Sequence, residues 1–471
     1  MARNKTYDEI SVGDCATLTR TLNANDLFVF AHASGNVNPM HLPGVDWTGD
    51  GKVDEPIAPS MWAGALISAV LGNVLPGPGT VYRSQTLNFR DRAHLGDRLE
   101  VSARVTAKKS DGIVELKTQV KREDGDVIAE GDAIVTAPER TITFDASSLP
   151  GILIERHQHF DRLLEAAETL APLPTAVVAP DDPNSLGGTA LAAREGLIDP
   201  VLVGARSRIE VAASEIGLDL SPFELIDVDP EDAAAARAVA LVHEGRVRAV
   251  MKGHLHTEDL LRHIVKRDGG LRMKRRLSHC FVMDIPGRAS PVIISDAAIN
   301  ISPDLQAKVD IVQNAIDIAR SLGIATPKVG ILSAIETVNP AIPSTLDAAV
   351  LSKMAERGQI KGGIVDGPLA MDNAIDIQAA KSKGITSLVA GHADVLVVPN
   401  LEAGNMLAKE LTFIAHAEAA GLVAGAKVPV MLTSRADNDR ARLCSCVLAL
   451  LYDHWQKTGE ALVRQSQESG A

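Results

Sequence analysis

The chain has 471 residues, 46% of them apolar and 23% charged, with 47 Lys and Arg against 60 Asp and Glu for a net charge of −13. This balance excludes wholesale disorder and a collagen-like repeat, and it disfavours a polyphosphate partner, so no nucleic-acid role is expected. Four cysteines (Cys15, Cys280, Cys444, Cys446), none in a CxxC pair, exclude a disulfide scaffold and argue against a metal framework, so no metal is expected. With only 3 Trp, 3 Tyr and 8 Phe, the core is left to Val, Ile, Leu and Ala. The polar N-terminus has no apolar h-region, and no run of 18 apolar residues occurs. A cytoplasmic protein with no membrane partner is expected.

In chain order, a short helix is expected near residues 26–34, capped by Asn25 or Asp26. A Gly- and Asp-rich loop follows from Asp46 to Glu55. A helix apolar nearly all round then runs from about Pro59 to Val74 and is stopped by Pro76-Gly77-Pro78-Gly79. Four segments with period-2 alternation come next: TVYRSQTLNF, DRLEVSARVTA, GIVELKTQVKR and DVIAEGDAIVT. Turn signals such as Asp111-Gly112 and Asp124-Gly125 join them. One apolar helix and an antiparallel sheet long enough to wrap it predict an α+β domain over 1–140, with 141–150 as linker.

Beyond 150 the pattern alternates. Apolar runs (TAVVAP, PVLVG, RAVM, PVIIS, KVGIL, GGIV, DVLVVPN, VPVMLTS) are separated by helical stretches, which predicts parallel strands buried on both faces. So long a stretch exceeds one ordinary core, and two α/β lobes are expected within 151–471. Ligands bind open α/β sheets at strand carboxyl ends, so the residues after each strand are the candidates. After VPVML stands Thr433-Ser434-Arg435-Ala436-Asp437-Asn438, where a helix N-terminus and a guanidinium would hold an anion. After RAVM stands Lys252-Gly253-His254-Leu255-His256-Thr257, with Thr257 as helix cap. His254 and His256 have no third metal ligand at useful spacing. After GGIV stands Asp366-Gly367-Pro368-Leu369-Ala370-Met371-Asp372-Asn373, and Arg276 precedes a strand-like FVMDIP. Each segment reads equally as an ordinary strand–turn–helix junction with surface charge.

The motifs MKGHLHTEDLLR, RLSHCFVMDIPG, GGIVDGPLAMDNAI, NLEAGNMLAKEL and VPVMLTSRADN, in that order, resemble the phosphate acetyl/butyryl transferases over about 155–465. The resemblance implies a two-lobed α/β fold similar to isocitrate dehydrogenases, with an interlobe active site. It implies the reaction acyl-CoA + phosphate ⇌ acyl phosphate + CoA, with no further cofactor. It places Ser434 and Arg435 at the reacting groups, with Arg435 clamping phosphate and Lys252 as a further cation. Asp366, Gly367, Pro368, Asp372, Asn373, His256 and Arg276 are the expected substrate-binding residues. Some relatives carry a catalytic Asp seven residues past the Ser. Here that position is Ala441, with Asp437 and Asp439 out of register.

The stretch Phe30 to His41 and the segment PIAPSMWAGALISAVLGNVLPGPGTVYRSQTLNFR resemble MaoC-like (R)-specific enoyl-CoA hydratases, which have a hot-dog fold, over about 8–137. In that family an Asp and a His activate water. His41 matches the His, but Asn36 stands at the Asp position, and an amide cannot accept the proton. Pro59-Ser60 replaces the family's His-Gly. Asp54 or Glu55 is the alternative base. The combined expectation is a short-chain (acetyl to butyryl) phosphate acyltransferase carrying a degenerate, acyl-CoA-binding hot-dog domain, assembled as a homo-oligomer. The rivals are a bifunctional enzyme with an active hydratase, a non-catalytic acyl-CoA-binding or assembly protein, and an NAD-dependent decarboxylating dehydrogenase of the related fold.

Overall fold

The computed structural model describes residues 2–145, 152, 154, 157–288, 290–432 and 439–463. It divides into two compact units, Met1–Ile154 and Glu155–Ala471.

The first unit contains β1 (Ala2–Arg3), β2 (Cys15–Thr21), α1 (Ala24–Ser34), α2 (Ser60–Asn73), β3 (Val81–Gln85), β4 (Asn88–Phe89), β5 (Arg98–Lys108), β6 (Ile113–Arg122), β7 (Val127–Thr136) and β8 (Thr143–Phe144). The antiparallel sheet runs β2-β5-β6-β7-β3, with β4 also on β7. Alternate residues of β5 to β7 are buried against α2, which inserts Trp62, Ala63, Leu66, Ile67, Val70 and Leu71. This is the helix-on-sheet arrangement that the period-2 and all-round apolar patterns predict.

Four details differ from the sequence reading. Helix α1 is capped by Asn23, whose side chain accepts from the Asp26 N–H while Asp26 accepts from the Asn23 N–H, a reciprocal cap that neither Asn25 nor Asp26 alone provides. The strand over residues 80–89 is two strands, because Gly131 of β7 lies so close to Thr86 that a Cβ there would sit 1.8 Å from the Thr86 carbonyl oxygen. Strand β2 adds an unforeseen edge strand. Within the expected linker, β8 pairs with β1, and the Ile142 N–H donates to Asn4 Oδ1 at 2.7 Å.

The second unit contains α3 (Gln158–Ala167), β9 (Leu173–Val178), α4 (Pro183–Arg194), β10 (Ile198–Gly204), α5 (Arg206–Ile216), β11 (Glu224–Asp227), α6 (Glu231–His243), β12 (Ala249–Lys252), α7 (Thr257–Ile264), β13 (Ser278–Asp284), β14 (Val292–Ser295), α8 (Leu305–Ser321) and β15 (Lys328–Leu332). It continues with α9 (Pro343–Glu356), β16 (Ile364–Leu369), α10 (Met371–Ile375), α11 (Ile377–Ser382), β17 (Val395–Val397), α12 (Leu401–Phe413), β18 (Glu418–Ala424), β19 (Val430–Met431) and α13 (Asp439–Thr458). One eleven-stranded sheet runs β11-β10-β9-β12-β19-β18-β13-β14-β17-β15-β16. Alternation along β9, β13 and β17 sends side chains to two faces. One face carries a continuous core with α3, α4, α5, α8, α9 and α13. The other carries two separate clusters, one under α6 and α7 and one under α10 to α12. The expected division into lobes is therefore written on one face only, over a sheet that is unbroken.

The sheet is also not all parallel. Strands β13 and β18 pair antiparallel over seven residues, β18 is antiparallel to β19, and β14 is antiparallel to β13. Strands β9 to β13 and β19 consequently end at one sheet edge, called here the upper edge, while β14 to β18 end at the lower edge.

Candidate active site

At the upper edge, β9 and β12 bring two turns together. The chain leaves β9 through Ala179, held at φ +50°, and leaves β12 through Gly253. The N–H groups of Gly253 and His254 donate to the carbonyls of Val178 and Ala179, both at 2.8 Å. A Cβ on residue 253 would lie 2.4 Å from the Ala179 oxygen, so this approach requires glycine. Lys252, the last residue of β12, is 4% exposed. Its ammonium donates to the carbonyls of Gly253 at 3.0 Å and Leu255 at 3.3 Å, which keeps a buried cation solvated by oxygen.

Around it, His254 Nδ1 lies 3.2 Å from Asp181 Oδ1, and Arg208 Nε donates to Asp181 Oδ2 at 2.7 Å. Asp182 caps α4 by accepting from the N–H groups of Asn184 and Ser185. Burial alone would raise the Asp182 carboxyl, but the Ser185 hydroxyl and N–H, His254 and the Asn184 N–H hold it below the usual carboxylate range. Arg442, in the first turn of α13, is buried against α4, where a Cβ on Gly188 would meet its Cδ at 2.5 Å. The sequence reading missed Arg442. Its signal is that α13 is apolar on every side just beyond it, so an Arg there has little choice but burial.

Ser434 and Arg435 lie outside the described residues, which end at Leu432 after β19 and resume at Asp439. Ala441, at the position of the relatives' Asp, donates nothing from its side chain, and its carbonyl accepts from Ser445 Oγ at 3.0 Å. His256 is exposed and is itself the N-cap residue of α7, with no side-chain cap bond, so Thr257 is the first helical residue rather than the cap.

The remaining candidates sit elsewhere. Arg276 precedes β13 at the lower edge, and its guanidinium donates to Asn300 Oδ1 at 3.4 Å. Asp366, Gly367 and Pro368 are part of β16 itself, not of a loop after it. A proline is accommodated there because β16 is an edge strand. Asp366 Oδ1 accepts from the Gly367 N–H at 2.8 Å. Asp372 and Asn373 lie on α10, where Lys383 Nζ meets Asp372 at 3.0 Å and Glu336 at 3.2 Å, and Asn373 Nδ2 donates to Glu336 at 3.4 Å. β16 is seven strand positions from β12 and ends at the opposite edge, roughly 34 Å away along the sheet. The structure does not bring these residues to Lys252. Reading every strand end as one site assumed a sheet of one polarity, whereas β14, antiparallel to β13, turns β14 to β17 the other way.

In the first unit, His41 ends a short 3-10 turn, and its Nδ1 lies 2.6 Å from the Ile57 carbonyl oxygen. Asn36 is exposed, with Oδ1 accepting from the Asn38 N–H at 3.3 Å. Asp54 accepts from the N–H groups of Trp47 and Thr48, both at 2.9 Å, and Glu55 faces His94 at 3.5 Å. Asp54 thus has its partners within its own loop, and Glu55 has one beyond it.

No helix among the described residues is long and apolar enough to cross a membrane. Residues 231–450 match the family described as phosphate acetyl/butaryl transferase. A phosphate acetyltransferase of Rhizobium meliloti is 58% identical over 293 residues, which are 62% of this chain and 93% of that protein. The crystal structure of a branched-chain phosphotransacylase from Enterococcus faecalis V583 matches with a TM-score of 0.53 and 31% identity, covering 60% of this chain and 99% of that one. The unliganded R-hydratase PhaJ1 from Pseudomonas aeruginosa is 38% identical where it matches, 33% of this chain and 99% of its own, with a TM-score of 0.31. A relative this similar, matched over nearly its whole length, places the chain: it belongs to the phosphate acetyl/butaryl transferase family.

Proposed function

We propose that the second unit transfers a short acyl group, acetyl to butyryl, between coenzyme A and inorganic phosphate. The observation that carries this reading is the 58% identity with a phosphate acetyltransferase across 93% of that protein. In the forward step a phosphate oxygen attacks the thioester carbonyl, and a C–O bond forms. The C–S bond then breaks with its electron pair leaving on sulfur, and the released thiolate takes a proton. Negative charge builds on the carbonyl oxygen and persists on phosphate, so the site needs fixed cations and donors. Lys252, buried and aimed by two backbone carbonyls, is one such cation. Ser434 and Arg435 are assigned to the reacting groups, with Arg435 on phosphate. Asp366, Asp372, Asn373 and Arg276 are left out of this centre, because the lower edge holds them. The substrates are acyl-CoA, CoA and phosphate, with no resident cofactor, and the chain acts as a cytoplasmic homo-oligomer.

The test is phosphate-dependent thiol release from acetyl-, propionyl- and butyryl-CoA. Release that falls about 100-fold or more in Arg435→Ala supports the assignment. No release from any of the three thioesters by the wild-type chain rejects it.

For the first unit we propose a hot-dog domain that binds acyl-CoA without hydrating it. The supporting observation is that Asn36 offers only an amide, while Asp54 accepts from the Trp47 N–H and Glu55 faces His94. Hydration of crotonyl-CoA, followed at the enoyl absorbance, rejects this reading if wild type turns over and His41→Ala does not.

A further inference from the structure

At the upper edge, Asp284 ends β13 and Glu418 begins β18. They are direct cross-strand partners in the antiparallel register. Like charges placed opposite one another in a sheet repel, and these two do so out of water. Asp284 is 1% exposed. Its Oδ2 caps the start of α3, accepting from the N–H groups of His159 at 2.8 Å and Phe160 at 3.3 Å. Glu418 Oε1 accepts from Arg440 Nε, and Arg440 Nη2 also donates to Asp161 at 2.7 Å. Each carboxylate then has one buried oxygen left, Asp284 Oδ1 and Glu418 Oε2, with no hydrogen-bond partner among the described residues. His159 Nε2 lies 4.0 Å from Oδ1 and 3.1 Å from the Arg288 carbonyl. Among the described residues, three carboxylates (Asp161, Asp284, Glu418) and one guanidinium (Arg440) leave the cluster at −2 when its histidines are neutral. Buried orphan oxygens call for a partner, and two in one place beside a net −2 call for a cation.

His157, the residue just before α3, completes the donor set. One ring nitrogen of His157 and one carboxylate oxygen each from Asp284 and Glu418 all lie within 4.8 Å of one another. Its Nδ1 is 3.3 Å from the Asp284 carbonyl oxygen. Donation of Nδ1–H to that carbonyl leaves the lone pair on Nε2, the arrangement that fixes the tautomer of metal-bound histidines. Ligand atoms about 2.1 Å from a tetrahedral ion are about 3.4 Å apart, so side-chain shifts of about 1 Å close the site.

We propose that His157, Asp284 and Glu418 bind one first-row divalent cation of the zinc or manganese type, which ties the entry of the second unit to its central antiparallel strand pair. A mixed imidazole and carboxylate set suits these ions. The site is independent of the transferase assignment, because none of its ligands is placed in that centre.

The test uses the full chain, stripped with a chelator and dialysed, then titrated with ZnCl2 or MnCl2 alone by calorimetry and by thermal unfolding. The expected result is about one equivalent bound per chain, a higher unfolding midpoint with metal, and binding weakened at least about 10-fold in both His157→Ala and Glu418→Gln. His157 makes no side-chain cap bond to α3, so His157→Ala keeps the fold, which circular dichroism checks. Absence of stoichiometric binding of either ion, or equal binding by wild type and both variants, overturns the proposal.

Discussion

The two units bury different chemistry. Among the described residues, the first unit hides only Asn4 and Thr118 as polar groups, and no charge. The second hides Lys252, His263, His279, Asp284, Asp296, Lys308, Arg442 and Asp453. Both cores are otherwise built from the same small aliphatic residues. Burying a charge costs several kcal/mol unless hydrogen bonds and opposite charge offset it, so a fold does not accumulate such groups for packing. The contrast matches the candidate sites: His41 and Asn36 stand on an accessible loop, while Lys252 and Arg442 are built into the sheet edge and the helix that packs on it.

That comparison breaks first at Lys252. Lys252→Ala is expected to lower phosphate-dependent CoA release about 100-fold or more, while His41→Ala leaves it unchanged. Equal effects, read in the same thiol assay, would remove the distinction between the units. Acid separates them next. Burial pushes His279 down to about 4, partly opposed by Asp296. The unfolded chain therefore binds the extra proton, and stability that is complete above about 6.5 is lost as pH falls toward 4. Peptide-resolved hydrogen exchange is expected to show the second unit opening before the first on acidification. Simultaneous opening contradicts this.

Backbone approach sharpens the comparison at matched sites. Gly253→Ala places its Cβ 2.4 Å from the Ala179 oxygen, and Gly131→Ala places its Cβ 1.8 Å from the Thr86 oxygen. Each is expected to destabilise its own unit by about 1–3 kcal/mol and to spare the other, as read by the same exchange measurement. Asn36→Asp is expected to raise crotonyl-CoA hydration from background if the amide is what silences the His41 loop. The smallest effect belongs to Asp366→Asn, expected to change CoA release by less than about 3-fold, because the lower edge holds it far from Lys252. A loss as large as that of Lys252→Ala would return Asp366 to the transferase centre.

Local pattern carried far in both units. The alternation in residues 97–136 marks β5 to β7 to within a residue, and each Val- and Ile-rich run after 170 is a strand of the large sheet. Strand β18, with the sequence EAAGLVA, escaped because Ala and Gly give no β signal. The reversal that sends Asp366, Asp372 and Asn373 to the other edge lies at the antiparallel β13–β14 pair, because β18 runs opposite to both of its neighbours, β19 and β13. Lys252 closes a strand at the upper edge as the rule of ligands at strand ends expects, whereas Gly367-Pro368 lies inside β16 rather than after it.

The amino-acid sequence by itself determined the alternation of strands and helices, the boundary between two kinds of core, the glycine at 253 and the family. These follow from periodicity, local sterics and motifs that lie within a few residues of one another. Tertiary structure alone decided which strand ends share an edge, that Arg442 is buried against Gly188, and that His157, Asp284 and Glu418 meet. Those three residues are separated by more than a hundred positions at each step. Only the pairing of β13 with β18 and the docking of α3 bring their donor atoms together, and no local pattern encodes a register between distant strands.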